Sequence, residues 1–384
     1  MTMRLVKKLR QLDYLLLFLI LVLATISIIA ISGATHTTDP TFVEKQIYWY
    51  ILGILCLLAT LLFDFRILDQ GRFVYLLYGF GIFLLLLVMI PGVGIEKKGA
   101  QQWLYIGGLQ FQPSELMKLI LIVTLAKVSQ EVRSLPIQKG KDLFRFLGLF
   151  FLPFLLIIQQ PDLGTALVLI GIMSSILLVA GLDWRILLAG VIAVVVLVGG
   201  MMILFFTDHP LLHVILEDHQ VQRIETFVHP ASDPGGAGYQ LTQSMIAVGS
   251  GQLNGKGFQN GTQTQGKWVP EPHNDFIFAV FAEEFGFIGV SILLCSFIFL
   301  VYRMVQVGVH SGDAFGSCIV AGVVGMLVFQ VFQNIGMTVG MLPITGLPLP
   351  FISYGGSSLI TQMMAVGLVL NVGMHKEKDF LFMD

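Results

Sequence analysis

Charge is what this chain lacks most. Only 12% of its 384 residues are Asp, Glu, Lys or Arg, about half the share found in ordinary soluble domains. The few charges nearly cancel, with 22 Lys and Arg against 24 Asp and Glu and a net of -2. No basic stripe emerges, which argues against nucleic acid as a partner. Cysteine is scarcer still. Cys56, Cys295 and Cys318 all lie inside apolar stretches, where they read as small buried hydrophobes. Neither a disulfide framework nor a zinc site follows from that spacing. The chain also lacks an internal repeat and a separable soluble domain, so inverted-repeat transport architecture is unsupported. What it has instead is 55% hydrophobic residues, 41 glycines and 30 phenylalanines, with a mean hydropathy of +0.84. That composition suits helices embedded in lipid.

A spanning helix needs about 20 mostly apolar residues. Ten such windows lie near 14–33, 46–63, 73–91, 114–130, 144–160, 163–181, 185–206, 276–301, 313–340 and 357–374. The expected fold is therefore an all-α integral membrane protein, with residues 1–384 forming a single polytopic domain of ten transmembrane helices. The first window follows Lys7, Lys8 and Arg10. Its apolar run of about 18 residues exceeds a signal-peptide core and reads as a retained anchor. With both termini in the cytoplasm, fifteen Lys and Arg fall on the inner side and six on the outer, with Lys118 inside a span. An odd number of spans would scramble that positive-inside bias. Residues 207–275 then form one long extracytoplasmic loop between helices 7 and 8. Its stretch from Leu211 to Val228 alternates apolar and charged residues in the manner of a helix lying in the interface.

Several motifs fail on inspection. Gly251 to Lys256 resembles a phosphate loop, but Ser250 stands where the first Gly belongs and Gly257 replaces the Ser or Thr after the Lys. His209 and His213 have helical spacing, yet a solvated interfacial face is the favoured reading over a metal site. Asn260-Gly261-Thr262 fits a glycosylation acceptor, a pattern short enough to arise by chance.

Ionisable groups at membrane depth are functional candidates by default. Glu115 and Lys118 stand three residues apart on one helix face and can pair; a structural ion pair is the plain alternative. Asp162, before Leu163-Gly164-Thr165, suits a helix N-cap. Glu283 and Glu284 lie inside the eighth window without an assigned role. Asp275 stands at the mouth of that window, after Val269-Pro270-Glu271-Pro272-His273-Asn274, and by spacing alone is as much a cap as a catalytic group.

The runs Gly255-Lys256-Gly257-Phe258, Gly261-Thr262-Gln263-Thr264, Pro270-Glu271 and His273-Asn274-Asp275-Phe276-Ile277-Phe278 resemble the SEDS family (shape, elongation, division, sporulation). So do Gln112-Pro113-Ser114-Glu115-Leu116-Met117-Lys118, Gln160-Pro161-Asp162-Leu163-Gly164-Thr165 and the run from Pro348 to Ser358. The motifs occur in the family's order over most of the chain, and the short ends look most like the elongation member. The resemblance implies a ten-helix peptidoglycan glycosyltransferase of the bacterial cytoplasmic membrane. It would polymerise lipid II on the outer face, with a class B penicillin-binding protein and other elongation-complex proteins as partners. The family's catalytic aspartate falls on Asp275, its conserved Trp on Trp103, and its Glu/Lys pair on Glu115 and Lys118. Where family members commonly carry a basic residue before the Trp, this chain has Gln101-Gln102; Lys97 and Lys98 stand upstream as substitutes.

The chemistry is consistent with that reading. Joining sugars from a lipid diphosphate needs a base for the acceptor hydroxyl, which Asp275 can supply. It also needs countercharge for the leaving group, for which Lys118, Lys256 and Arg223 are available. Glu271 and Ser353 lie within the matching motifs and complete the candidate substrate-binding set. No dedicated metal cage is evident and the residues assign no cofactor, although a divalent cation (magnesium or manganese) would suit the diphosphate. The rival readings are a lipid II flippase or lipid carrier, and a non-catalytic scaffold for wall synthesis.

Overall fold

A helix lies over each of the ten apolar windows. The computed structural model describes residues 12–97, 100–107, 109–131, 140–207, 209–211, 218–233 and 235–375. The window helices are α1 (Tyr14–Thr35), α2 (Thr41–Leu62), α3 (Phe73–Val88), α4 (Pro113–Glu131), α5 (Gly140–Gln159), α6 (Leu163–Val179), α7 (Trp184–Phe206), α11 (Ile277–Val309), α12 (Ala314–Thr338) and α13 (Gly356–Met374). Among the described residues, α1, α2, α7, α11, α12 and α13 are long and apolar enough to cross a membrane. Several of the rare carboxylates serve helix starts. Asp13, Asp162, Asp183 and Asp313 cap α1, α6, α7 and α12 by accepting a backbone N–H, a contribution of about 0.5–2 kcal/mol each.

The bundle packs α13 against α2, α12 against α6 and α4, and α11 against α1 and α12. Small residues permit the closest of these approaches: Gly325 of α12 lies against Ser175 and the Gly171 carbonyl of α6. α7 is the exception, with no buried residue along its length. At one end of the bundle, ion pairs brace the helices. Lys127 meets Asp69 at 2.6 Å, Arg145 meets Glu131 at 2.6 Å, and Arg303 meets Asp13 at 2.6 Å.

The opposite end carries the longer connections and is called the loop end. Here the all-α expectation is corrected: β1 (Ile95–Lys97), β2 (Ala100–Ile106) and β3 (Leu109–Phe111) form an antiparallel sheet in the order β1-β2-β3. Gly107-Gly108 separates Ile106 from its partner Leu109, a dipeptide that two-residue hairpin loops favour. The described part of residues 207–275 also holds helices, α8 (Asp218–Val228), α9 (Ala237–Ser250) and the single turn α10 (Thr262–Gln265). α8 covers the second half of the expected interfacial helix; residues 212–217 of that stretch lie outside the described residues.

α11 is broken at Gly286, where φ is +63°, a conformation suited to glycine. The break frees backbone groups inside a membrane-length helix, and residues 251–257 complete them. The carbonyls of Glu283 and Glu284 accept the amides of Lys256 and Gly257, each at 3.0 Å. In return the amides of Phe287 and Ile288 donate to the carbonyls of Gln252 and Leu253 at 2.8 and 3.2 Å. Irregular backbone persists in lipid only where protein satisfies it in this way.

Candidate active site

Asp275 sits in the turn that leads into α11, partly buried. It is not the helix cap: that position belongs to Phe276, which makes no side-chain capping bond. The turn is instead held through three successive carbonyls. His273 O accepts from the Tyr354 amide at 2.9 Å, Asn274 O from Ser353 Oγ at 2.8 Å, and Asp275 O from Asn334 Nδ2 at 2.9 Å. Asn334 also donates to Leu347 O at 2.8 Å, and Leu349 N donates to Ser353 Oγ at 2.8 Å. The His273 ring lies tilted against Phe42 with centroids 4.3 Å apart, and Phe42 meets Tyr354 edge-on at 4.9 Å. The Asp275 carboxylate is thus carried on a backbone with little freedom. Gly346, at φ +70°, faces it: a Cβ there would lie 3.8 Å from Asp275 Oδ2.

The 345–347 stretch connects this turn to a second group of charges. Gly164 packs on Leu347 and on the Thr345 carbonyl, and two residues earlier Asp162 caps α6 through the Thr165 amide at 2.9 Å. Gln112 Nε2 and Ser114 Oγ both donate to Asp162 Oδ2 at 3.3 Å. Burial pushes the Asp162 carboxyl above the usual carboxylate range, reinforced by Glu115 and opposed by the Thr165 bonds and the Lys118 ammonium. Glu115 and Lys118 pair at 2.8 Å and are 2% and 0% exposed. Glu115 Oε2 has no hydrogen-bond partner among the described residues. Pro113 opens α4 at the first turn, where its missing N–H costs nothing.

The remaining candidates divide by what already occupies them. Lys256 is bound by Glu283 at 2.7 Å and by Thr262 Oγ1 at 2.6 Å. Ser353 is buried, its hydroxyl engaged as described. Glu271 adopts φ +47° and lies 4.0 Å from His273 Nε2. Trp103, on β2, stands opposite Ile95 of β1 and is partly buried. Lys97 ends β1 and Arg223 lies on α8, while Lys98 lies outside the described residues. The two glutamines before Trp103 tie the sheet down: Gln101 Nε2 donates to the carbonyls of Ile90 and Gly94, and Gln102 Nε2 to that of Gln160. Glu284 packs its buried carboxylate against Gly33 of α1. Among the described residues no three His, Cys, Asp or Glu side chains converge to hold a metal.

A family model described as cell cycle protein, covering FtsW, RodA and SpoVE, matches residues 8–378. The chain belongs to this family. It is 37% identical over 368 residues to the peptidoglycan glycosyltransferase MrdB of Escherichia coli K12, covering 96% of this chain and 95% of that one. It is 35% identical over 370 residues to stage V sporulation protein E of Bacillus subtilis 168, covering 94% and 97%. Among solved structures, a chain from a peptidoglycan synthase complex that coordinates polymerization and crosslinking superposes with a TM-score of 0.79 at 32% identity, covering 94% and 97%. The Thermus thermophilus rod shape determining protein RodA gives 0.69 at 32%, covering 96% and 98%. The chain is a multi-pass membrane protein, as its helices require.

Within this SEDS chain, two of the residues that hold the Asp275 turn, Asn334 and Tyr354, are not among the candidates read from the sequence, whereas Ser353 is. Asn334 and Tyr354 act through atoms far away in sequence. Asn334 does carry a signal, because a buried amide within an apolar span needs partners, but a search for ionisable groups passes over it.

Proposed function

We propose that the protein is a peptidoglycan glycosyltransferase that polymerises lipid II at the outer face of the cytoplasmic membrane during cell elongation. In this reading all ten window helices cross the membrane, both termini are cytoplasmic, and the loop end is external. A class B penicillin-binding protein is the proposed partner, crosslinking the strands. The observation that carries the reading is the placement of two groups at the loop end, linked through residues 345–347 and Asp162. One is a carboxylate on a rigid turn; the other is a buried cation.

Asp275 takes the proton from the acceptor sugar's 4-hydroxyl as that oxygen attacks the donor's anomeric carbon. The bond to the diphosphate breaks on the opposite side, which inverts the α-linked donor to a β-1,4 linkage. The departing diphosphate is already a good leaving group, so one carboxylate and a countercharge suffice. Lys118 supplies the countercharge best: it is enclosed, where a cation acts strongly on developing negative charge. Asp275→Asn keeps the shape and removes the base. Polymerisation of lipid II by the purified chain with its partner should fall by about 10²–10⁴-fold; product within a few-fold of wild type would remove Asp275 from the mechanism. The same assay separates a flippase, which would translocate monomer, and a scaffold, which would do neither. For topology, impermeant labelling should mark a cysteine at 256 from outside and spare one at 139.

A further inference from the structure

We propose that Glu283 is a positioning residue for this reaction, clamping the stretch 256–264 onto the break in α11 so that the segment leading to Asp275 is held from its far end. The proposal rests on the glycosyltransferase reading. The Glu283 carboxylate is fully enclosed and collects four donors besides a long one: Lys256 Nζ at 2.7 Å, Gln263 N at 2.8 Å, Thr264 N at 3.0 Å and Thr264 Oγ1 at 2.8 Å, with Thr262 Oγ1 at 3.4 Å. Its own carbonyl accepts the Lys256 amide, so side chain and backbone grip the same loop. The next residue along the loop, Gln265, donates from Nε2 to Gly33 O of α1 at 2.9 Å.

Burying an ion pair is a poor way to gain stability, because desolvation offsets most of the attraction. What the arrangement does provide is a fixed point. From Thr264 the chain runs through residues 265–272 to the three carbonyls of the Asp275 turn, which are held independently. Two non-glycine residues in that short span, Lys267 at φ +60° and Glu271 at φ +47°, adopt left-handed backbone. Such conformations cost about 1–3 kcal/mol each and persist where the surroundings over-determine them. Both ends must therefore be clamped, and Glu283 is the clamp at one end. The same bonds hold the Lys256 ammonium on Glu283 and Thr262.

The test uses the full chain with its partner and lipid II, comparing Glu283→Gln, Lys256→Met and the double variant. Glu283→Gln should lower kcat roughly 10- to 100-fold with KM for lipid II little changed, as expected when a reacting group is misplaced while substrate binding stays intact. Lys256→Met leaves a buried carboxylate unpaired and should cost a similar factor. The double variant removes both charges and should recover roughly tenfold over Lys256→Met, which also guards against misfolding of either single variant. Hydrogen exchange in residues 262–265 should quicken in Glu283→Gln while α11 beyond Gly286 stays protected. Normal kcat and unchanged exchange in Glu283→Gln would overturn the proposal. So would a large rise in KM for Lys256→Met that the double variant does not relieve, since that would return Lys256 to the substrate. Exchange needs no turnover: wild-type protein that makes no polymer strikes the glycosyltransferase reading, and the exchange result still decides the clamp.

Discussion

Two glutamate–lysine pairs stand at the loop end, each with its glutamate buried, and they differ in how complete their bonding is. Glu283 engages both oxygens, with backbone amides, hydroxyls and Lys256. Lys256 adds Thr262 and remains 24% exposed. Glu115 uses one oxygen only, and Lys118 makes a single hydrogen bond among the described residues, although an ammonium carries three donors. Buried polar groups are normally satisfied, and the exceptions call for an explanation. The complete pair is architecture. The incomplete pair has donors to offer to an anion, and a lipid diphosphate is the anion the proposed reaction brings.

The sharpest way to break that contrast is to remove each lysine in turn. Lys118→Ala should lower polymerisation by about 10²–10³-fold, the scale of removing one charged transition-state interaction from an enclosed site. Removing Glu115 as well should not relieve it, because substrate and not Glu115 is the missing partner. Lys118→Arg should restore only part, since a planar fork does not reproduce a point charge. Initial rates with fluorescent lipid II read both. Wild-type rates in Lys118→Ala would make Glu115–Lys118 a second structural pair and erase the distinction.

A smaller effect is expected at Gly346, which faces the Asp275 carboxylate, so that an added Cβ would lie 3.8 Å from its Oδ2. Its φ of +70° resists any side chain, and the added methyl of Gly346→Ala would sit in van der Waals range of Asp275 Oδ2. We expect kcat to fall roughly tenfold, in line with small misplacement of a reacting group, with Lys118 unaffected. A change confined to KM would instead assign Gly346 to the substrate's path.

Much of this architecture is legible in the sequence. A helix lies over each of the ten apolar windows, and among the described residues six of them are long and apolar enough to cross a membrane, where lipid leaves the backbone few alternatives. Asp275, Glu115, Lys118 and the Asp162 cap stand out because charge is so rare here. The sheet at 95–111 is less visible: its strands of three and seven residues are short beside the surrounding helices, although Gly107-Gly108 marks the hairpin. The break at Gly286 is hidden because the apolar pattern continues through it, and only residues 251–257, folded back from the preceding loop, make it tolerable. Asn334 and Tyr354 reach Asp275's turn across 59 and 81 positions respectively (275 to 334, 273 to 354). Contacts of that range come from tertiary packing and have no local signature.

The smallest predicted effect tests whether the sheet belongs to the site or only frames it. Gln102 bridges β2 to the turn before α6, donating to Gln160 O at 2.8 Å and accepting from Gln112 Nε2 at 3.4 Å; Gln112 in turn reaches Asp162. Gln102→Ala removes one good hydrogen bond and one weak one, a stability loss of about 1 kcal/mol. Asp162 keeps Ser114 and the Thr165 amide, so its position should survive and polymerisation should drop no more than about threefold, well below the factor for removing a charged interaction. Thermal unfolding in detergent and initial rates measured on the same preparation separate the two effects. A fall in rate as large as that of Lys118→Ala, with unfolding unchanged, would place Gln102 against substrate. The glutamines that stand here in place of a basic residue would then be part of diphosphate recognition, and the incomplete bonding around Lys118 would no longer be the feature that singles out the anion's place.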